Sequence, residues 1–304
     1  MTSFTADRDG ERVDVFLARL DETFSRSYLQ RLIEEGRVTV GGQTVKPRYR
    51  LSVGETVAMD VPEPEPINVT PENLPLDILY EDEDVIVVNK ARGMVVHPAA
   101  GVFHGTLVNA LLAHCKDLSG INGALRPGIV HRLDKETSGV MIAAKNDAAH
   151  RSLAEQIQAK TAQRTYWAIL VGNIREEEGV IHGAIGRSAK DRQKMAVVRE
   201  NGKEATTKFR ILERFGNFTL AECRLLTGRT HQIRVHMAYI GHPVAGDRKY
   251  GTKKCPFVIE GQALHSKTLS FAHPRTGERM EFSAPLPEDM ETILRQLRGN
   301  LAGE

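Results

Sequence analysis

Apolar positions along the chain follow two different periods. Near the N-terminus they recur at helical spacing: Val13, Phe16, Leu17 and Leu20 in "ERVDVFLARL", then Leu29, Leu32 and Ile33 in "SRSYLQRLIEEG". Residues three and four apart share one face of an α-helix, so each stretch predicts a short amphipathic helix. Ser27 and Gln30 have the spacing of a capping box and Gly36 is a helix stop. "RVTVGGQTV" reads as two strands about a Gly-Gly turn, and "ETVAMDV" as a further strand.

The next stretch, "VPEPEPINVTPENLP", is rich in proline and acidic residues. Proline fixes φ and removes an amide donor, so an extended linker is expected over 63–75, between one unit at 11–62 and another at 76–304. Beyond it, "DVIVVNK", "SGVMIAAK", "RTYWAILVG", "EATTKFRILERF", "FTLAECRLL" and "HSKTLSFAHP" predict strands. "GTLVNALLAHC", "NDAAHRSLAEQIQAK" (capped at Asn146 or Asp147), "THQIRVHMAYIG" and a segment from about Glu288 predict helices. Strands outnumber helices and many lie close in sequence, so the fold class is α+β with a mixed, largely antiparallel sheet, not an alternating doubly wound fold. There is no GxGxxG and no GxxxxGK[ST], the usual cradles for nucleotide phosphates.

Charge modifies this picture only through its distribution. The 304 residues carry a formal net charge of +2. Yet the stretch "FSRSYLQRLIEEGRVTVGGQTVKPRYR" carries Arg26, Arg31, Arg37, Lys46, Arg48 and Arg50 against only Glu34 and Glu35, whereas "PEPEPINVTPENLPLDILYEDED" is acidic throughout. Such segregation suits a surface for a polyanion, although charge alone fits an ordinary solvated face equally well. Cys115, Cys223 and Cys255 are far apart with no CxxC, which fits a reducing compartment and packing or surface roles. The N-terminus lacks an apolar core of the signal-peptide kind and no run of about 18 apolar residues occurs, so a soluble, cytoplasmic protein without membrane association is expected.

Two stretches carry candidate chemistry. In "GIVHRLDKETSGVMIAAKN" an apolar run breaks at His131, Arg132, Asp134 and Lys135 and then resumes. A carboxylate at a loop tip between cations stays ionised and available as nucleophile or base, while "TSG" looks like a sharp turn into the next strand. A surface ion-pair cluster is the plainer alternative. Glycoside hydrolysis needs a second carboxylate across the scissile bond, and Glu136 is too close in sequence to face Asp134 that way. In "LLTGRTHQIRVHMAYIGHPVAGDRKYG" a turn at Gly228 leads into a helix with Thr230 as the expected cap, Ile233, Met237 and Ile240 as its buried stripe, and His231 and Arg234 on the adjoining face. Arg234 is a candidate bidentate partner for Asp134. His231, His236 and His242 match no common zinc spacing, and no metal is expected.

These segments, "HRLDKETSG", "RTYWAILVG" and "TGRTHQIRVHMAYIGHPVAGDRKYG", together with "VVNKARGMVVHPAAG", resemble the motifs of the RluA-type pseudouridine synthases, nearest to their RluD-like branch acting on large-subunit (23S) ribosomal RNA. The basic unit at 11–62 resembles the small S-four-like RNA-binding domain. The resemblance implies a pseudouridine synthase fold, structured RNA as partner, a monomer, and no cofactor. It further implies Asp134 as the catalytic aspartate, Tyr166 as the aromatic under the target base, Arg234 as the ion-pair partner of the aspartate, and Arg132 as the wedge entering the stack that the uridine leaves. RNA contacts are then expected from Arg132 and Arg229 together with Arg26, Arg31, Arg37, Lys46 and Arg48. Turning out the base of a structured RNA needs a group to fill the gap and a reactive group at the glycosidic bond, and one loop carrying Arg132 and Asp134 supplies both. Attack on the sugar, attack on the base and removal of a sugar proton all remain open for Asp134. A transfer RNA substrate and a non-catalytic RNA-binding factor are the alternatives.

Overall fold

The computed structural model describes residues 2–21, 24, 26–61, 69–98, 101–121, 126–252 and 255–301, and the chain divides into two units, Met1–Pro66 and Ile67–Glu304.

In the first unit, β1 (Thr2–Thr5), α1 (Val13–Leu20), α2 (Arg26–Glu34), β2 (Val38–Val40), β3 (Gln43–Thr44) and β4 (Thr56–Met59) form two helices and a sheet of order β1-β4-β2-β3. Strand β1 lies before residue 11, where the sequence placed the start of this unit, and it pairs in register with β4. The expected helical stripes are buried: Val13, Phe16 and Leu17 of α1 meet Leu29, Leu32 and Ile33 of α2 in one core. Gly41 and Gly42 both have positive φ (56° and 81°), the backbone that a two-residue hairpin turn needs and that glycine adopts freely. Ser27 is not at the cap position expected for a capping box with Gln30. Helix α2 begins at Arg26, which puts Ser27 inside it, and the Gln30 amide donates instead to Asp14 Oδ2 at 2.6 Å. Asp14 is fully buried and also takes Arg12 and Arg26, so it ties the two helices together.

The Pro-rich stretch falls partly outside the described residues; from residue 69 onward it belongs to the second unit, where Val69 and Leu76 pack on the core and Glu72 donates its amide to the Asn109 carbonyl. That unit contains β5 (Ile78–Glu81), β6 (Val85–Lys90), α3 (Leu107–His114), β7 (Ser138–Ala144), α4 (Asp147–Ala159), β8 (Gln163–Val171), β9 (Glu178–His182), β10 (Ile185–Arg187), β11 (Met195–Val197), β12 (Thr206–Arg214), β13 (Phe218–Leu225), α5 (Gln232–Tyr239), β14 (Leu264–Ala272), β15 (Arg279–Ser283) and α6 (Glu288–Leu301). Its main sheet runs β5-β6-β7-β14-β8-β13-β12-β9, with β15 on β14. Every pairing in it is antiparallel except β7 with β14. Alternation divides the apolar side chains between two faces: Ile86, Val88, Met141 and Ala143 pack with α3, α5 and α6, and Val85, Val87, Val140 and Ile142 pack with α4. Asn146 caps α4, accepting the Ala149 amide at 2.9 Å.

The parallel junction explains the glycine of "TSG". Gly139 has φ of 113°, and a β-carbon there would overlap the Ser266 carbonyl oxygen. This glycine therefore serves the close approach of β14 to β7, inside the strand and not in the turn before it.

Candidate active site

The polar loop from His131 to Thr137 enters β7 over the sheet and is held mainly through its own backbone. His131 is buried, and its Nε2 accepts the Ile142 amide at 3.2 Å; burial, reinforced by the charge of Arg164, pushes its pKa down to about 3. The ring is thus a neutral brace. Leu133 points into the core. The Lys135 carbonyl accepts from the Gly93 amide at 3.0 Å and from the Lys90 ammonium at 3.1 Å. Lys90 is almost wholly buried, and gives its other two N–H bonds to the carbonyls of Ala91 and Met94 at 2.7 and 2.8 Å. With both flanks fixed, Arg132 and Asp134 are left facing outward.

Asp134, with 20% of its side chain exposed, accepts from Arg234 Nη1 at 2.8 Å. The pairing foreseen from the sequence exists, but it is not bidentate. The planar fork of Arg234 goes to Asp247, Nε to Oδ2 at 2.6 Å and Nη2 to Oδ1 at 2.9 Å, and only the remaining nitrogen reaches Asp134. A fork-shaped donor matches one carboxylate at a time, and the fully buried one holds it. Asp247 is further fixed by the amides of Lys249 and Tyr250. Burial alone raises the pKa of Asp247, but the Arg234 bonds and charge outweigh it and hold the carboxyl below its ordinary value. Burial likewise opposes the charge on Arg234, and the two carboxylates more than restore it.

Helix α5 positions Arg234, and its start differs from the expected one. The capping residue is His231, in left-handed backbone (φ 57°), not Thr230. The turn is satisfied by Gln232, whose Oε1 accepts the Arg229 amide at 3.0 Å and the Thr227 hydroxyl at 2.7 Å. The unusual backbone aims His231 Nε2 at Asp134 Oδ1, 3.9 Å away. Its Nδ1 lies 2.7 Å from the Tyr250 hydroxyl, which accepts the Met195 amide at 3.0 Å. The hydroxyl can donate to Nδ1 or accept from it, and in the first case the imidazole proton sits on Nε2, toward the carboxylate. The other two histidines of the triplet have separate partners: His236 meets Thr207 Oγ1 and the Gly183 carbonyl, and His242 the Val171 carbonyl.

Arg132, Asp134, Tyr166, Arg229 and His231 all line one cavity of about 390 Å³, a volume within the range of ligand pockets. A smaller cavity of about 60 Å³ shares that wall and is also lined by Arg234. Tyr166, on the buried face of β8, has its phenol pKa raised chiefly by burial. Arg132 and Arg229 are exposed, and Arg229 donates from Nε to the Glu204 carbonyl at 2.9 Å. In the first unit Arg26 pairs with buried Asp14, Arg31 with Glu35, and Arg37 with Asp60, while Lys46 and Arg48 are exposed and make no ion pair among the described residues. Sequence reasoning missed Asp247, Tyr250 and Lys90. The first two stand in the quoted "GDRKYG" and the third in "VVNKARG", but nothing in local spacing names their partners.

The fold and the site define an RNA-modifying enzyme. The family model for RNA pseudouridylate synthase matches residues 84–239, that for the S4 domain matches 11–57, and the chain belongs to the RNA pseudouridine synthases. A Bacillus subtilis protein described as an uncharacterized RNA pseudouridine synthase is 56% identical, over 97% of this chain and 96% of that one. The ribosomal large subunit pseudouridine synthase D of Neisseria meningitidis serogroup A is 48% identical over 95% of this chain and 79% of its own. Among solved structures, human RNA pseudouridylate synthase domain containing 1 superposes with a TM-score of 0.56 at 28% identity, covering 78% of this chain and 97% of its own.

Proposed function

We propose that this synthase isomerises uridine in large-subunit ribosomal RNA, with Asp134 as the essential carboxylate and the target base turned out of the RNA into the cavity beside Tyr166. The observation that carries the reading is Asp134 itself: a partly exposed carboxylate on a cavity wall, held by one nitrogen of an arginine whose other contacts are buried. The isomerisation breaks the bond from ribose C1′ to uracil N1 and forms one from C1′ to C5; C5 loses a proton and N1 gains one, with no net change of atoms or electrons. One carboxylate at the glycosidic bond, a flat wall for the detached ring and proton-bearing neighbours suffice for that. Arg132, exposed on the cavity rim, fills the gap in the stack. The ribosomal substrate is supported by relatives from Neisseria, Zymomonas and Xanthomonas that are named large-subunit synthases.

The test is a transcriptome-wide map of pseudouridine in cells with and without the gene, complemented with wild type or with Asp134→Asn. Sites lost on deletion should lie in large-subunit ribosomal RNA, and return with wild type alone. Asn keeps the size and most hydrogen bonding while removing negative charge, basicity and nucleophilicity. The purified variant should melt like wild type and bind RNA at least as well, yet form no pseudouridine. Lost sites confined to transfer RNA would overturn the substrate, and turnover by the variant would overturn the role of Asp134.

A further inference from the structure

Arg164 lies in β8 two residues before Tyr166, and the reaction as described gives it nothing to do. It is only 9% exposed, yet its side chain makes no hydrogen bond or ion pair among the described residues, and its Nε is fully enclosed without an acceptor. A buried guanidinium without a counter-charge is costly, and proteins otherwise pair such groups. Among the described residues no carboxylate pairs with it. His131 is held neutral beside it, and Asp134 is engaged by Arg234.

The side chain lines the same 390 Å³ cavity as Asp134 and Tyr166. Residues two apart on a strand share a face and stand about 6.6 Å apart, so Arg164 is one strand step from the proposed wall for the base. Of the charged groups lining this cavity, Arg132, Lys160, Arg164 and Arg229 are cationic and Asp134 alone is acidic. The loop at Gly228 passes next to the guanidinium. A β-carbon at Gly228 would sit 3.5 Å from Arg164 Nη2, and the backbone of Gly228 is not in the left-handed region. A methyl group there makes only an ordinary contact, whereas a longer side chain would lie against the guanidinium.

We propose that Arg164 is the receptor for a backbone phosphate of the RNA, at or next to the nucleotide whose base enters the cavity. The proposal rests on the reading that the cavity receives the target nucleotide. An uncharged uracil ring does not compensate a buried cation, whereas a phosphodiester does, and a guanidinium fork fits it with two hydrogen bonds.

The experiment uses the full chain and synthetic RNA hairpins carrying a mapped uridine, each with one linkage made neutral as a methylphosphonate. For wild type, one linkage flanking the uridine should weaken binding about tenfold, and the others should have smaller effects. Arg164→Gln should show that loss already on unmodified RNA, lower the salt dependence of binding by about one unit of slope, and be indifferent to the sensitive methylphosphonate. Gly228→Leu, which leaves the charge and covers it, should behave likewise and guards against misfolding of the arginine variant. Thermal melts with inorganic phosphate form a separate arm. Stabilisation of wild type but not of Arg164→Gln, with a flat methylphosphonate scan, would assign the residue to a free anion and overturn the RNA contact. A scan that stays position-sensitive in Arg164→Gln and Gly228→Leu would overturn it as well. Binding is read separately from turnover, on hairpins of large-subunit sequence if mapping finds no site. Absence of pseudouridine thus counts against the proposed reaction, and the phosphate contact stands or falls on the scan.

Discussion

Asp247 takes the fork of Arg234, at 2.6 and 2.9 Å, and so decides which nitrogen that arginine has left for Asp134. Asp247 is 1% exposed, and a charge pair buried this deeply is costly to break from one side, about 3–5 kcal/mol. Asp247→Asn puts an amide donor against a donor fork, so both stability and orientation should suffer. Arg234→Lys keeps the charge but has no fork. In single-turnover kinetics both variants should lose most of the chemical step, with RNA affinity changed by less than the rate. Near-normal turnover in Arg234→Lys would show that the pair does not position the carboxylate.

Arg132 separates from this buried assembly because it is exposed. If it replaces the extruded base, Arg132→Ala should slow modification of a structured hairpin far more than of a flexible strand, because unstacking costs a few kcal/mol only where a stack exists. Rates on matched hairpin and single-strand substrates decide it; equal losses count against the wedge.

Three buried histidines give the catalytic unit a defined response to acid. Burial lowers the pKa of His97 and His265 to about 4 and of His131 to about 3, from an ordinary 6.5. Between those values the unfolded chain holds protons that the folded one lacks, so stability is full above pH 6.5 and is lost as pH falls toward 4. Urea titrations followed by fluorescence of the single tryptophan, Trp167, should show this decline. His131→Gln should reduce its slope by about one proton. A stability that stays level over the window would rule the mechanism out.

In the first unit the cations are not equivalent. Arg26 serves buried Asp14, so Arg26→Ala should lower the melting temperature of that unit more than it weakens RNA binding. Lys46→Ala with Arg48→Ala should do the reverse and reduce the salt slope by about two. Removing residues 1–66 should weaken RNA binding and leave the synthase unit folded, as seen in its circular dichroism.

The elements legible in the sequence were those whose burial is periodic. The stripes of α1 and α2 and the apolar run of β7 need no long-range information, because alternation or helical spacing already states which face is inside. Asp134, Arg132 and Tyr166 stood out because their motifs are contiguous. What escaped was pairing at a distance. That Arg234 forks to Asp247 depends on the turn after α5, and that His231 replaces Thr230 as cap depends on a left-handed backbone that histidine does not advertise. Gly139 looked like a turn residue, since its true reason, the carbonyl of Ser266, arrives from 127 positions later.

Lys90 grips the active-site loop by the carbonyl of Lys135, an atom every amino acid possesses. The side chain at 135 points outward and takes no part in that grip. Position 135 is thus free to drift, in charge or in size, without moving its neighbours, whereas position 90 tolerates only a group that can present three protons to three peptide oxygens. Divergence among such enzymes can thereby retune the loop's outer face for different RNAs while the carboxylate one residue away keeps its place.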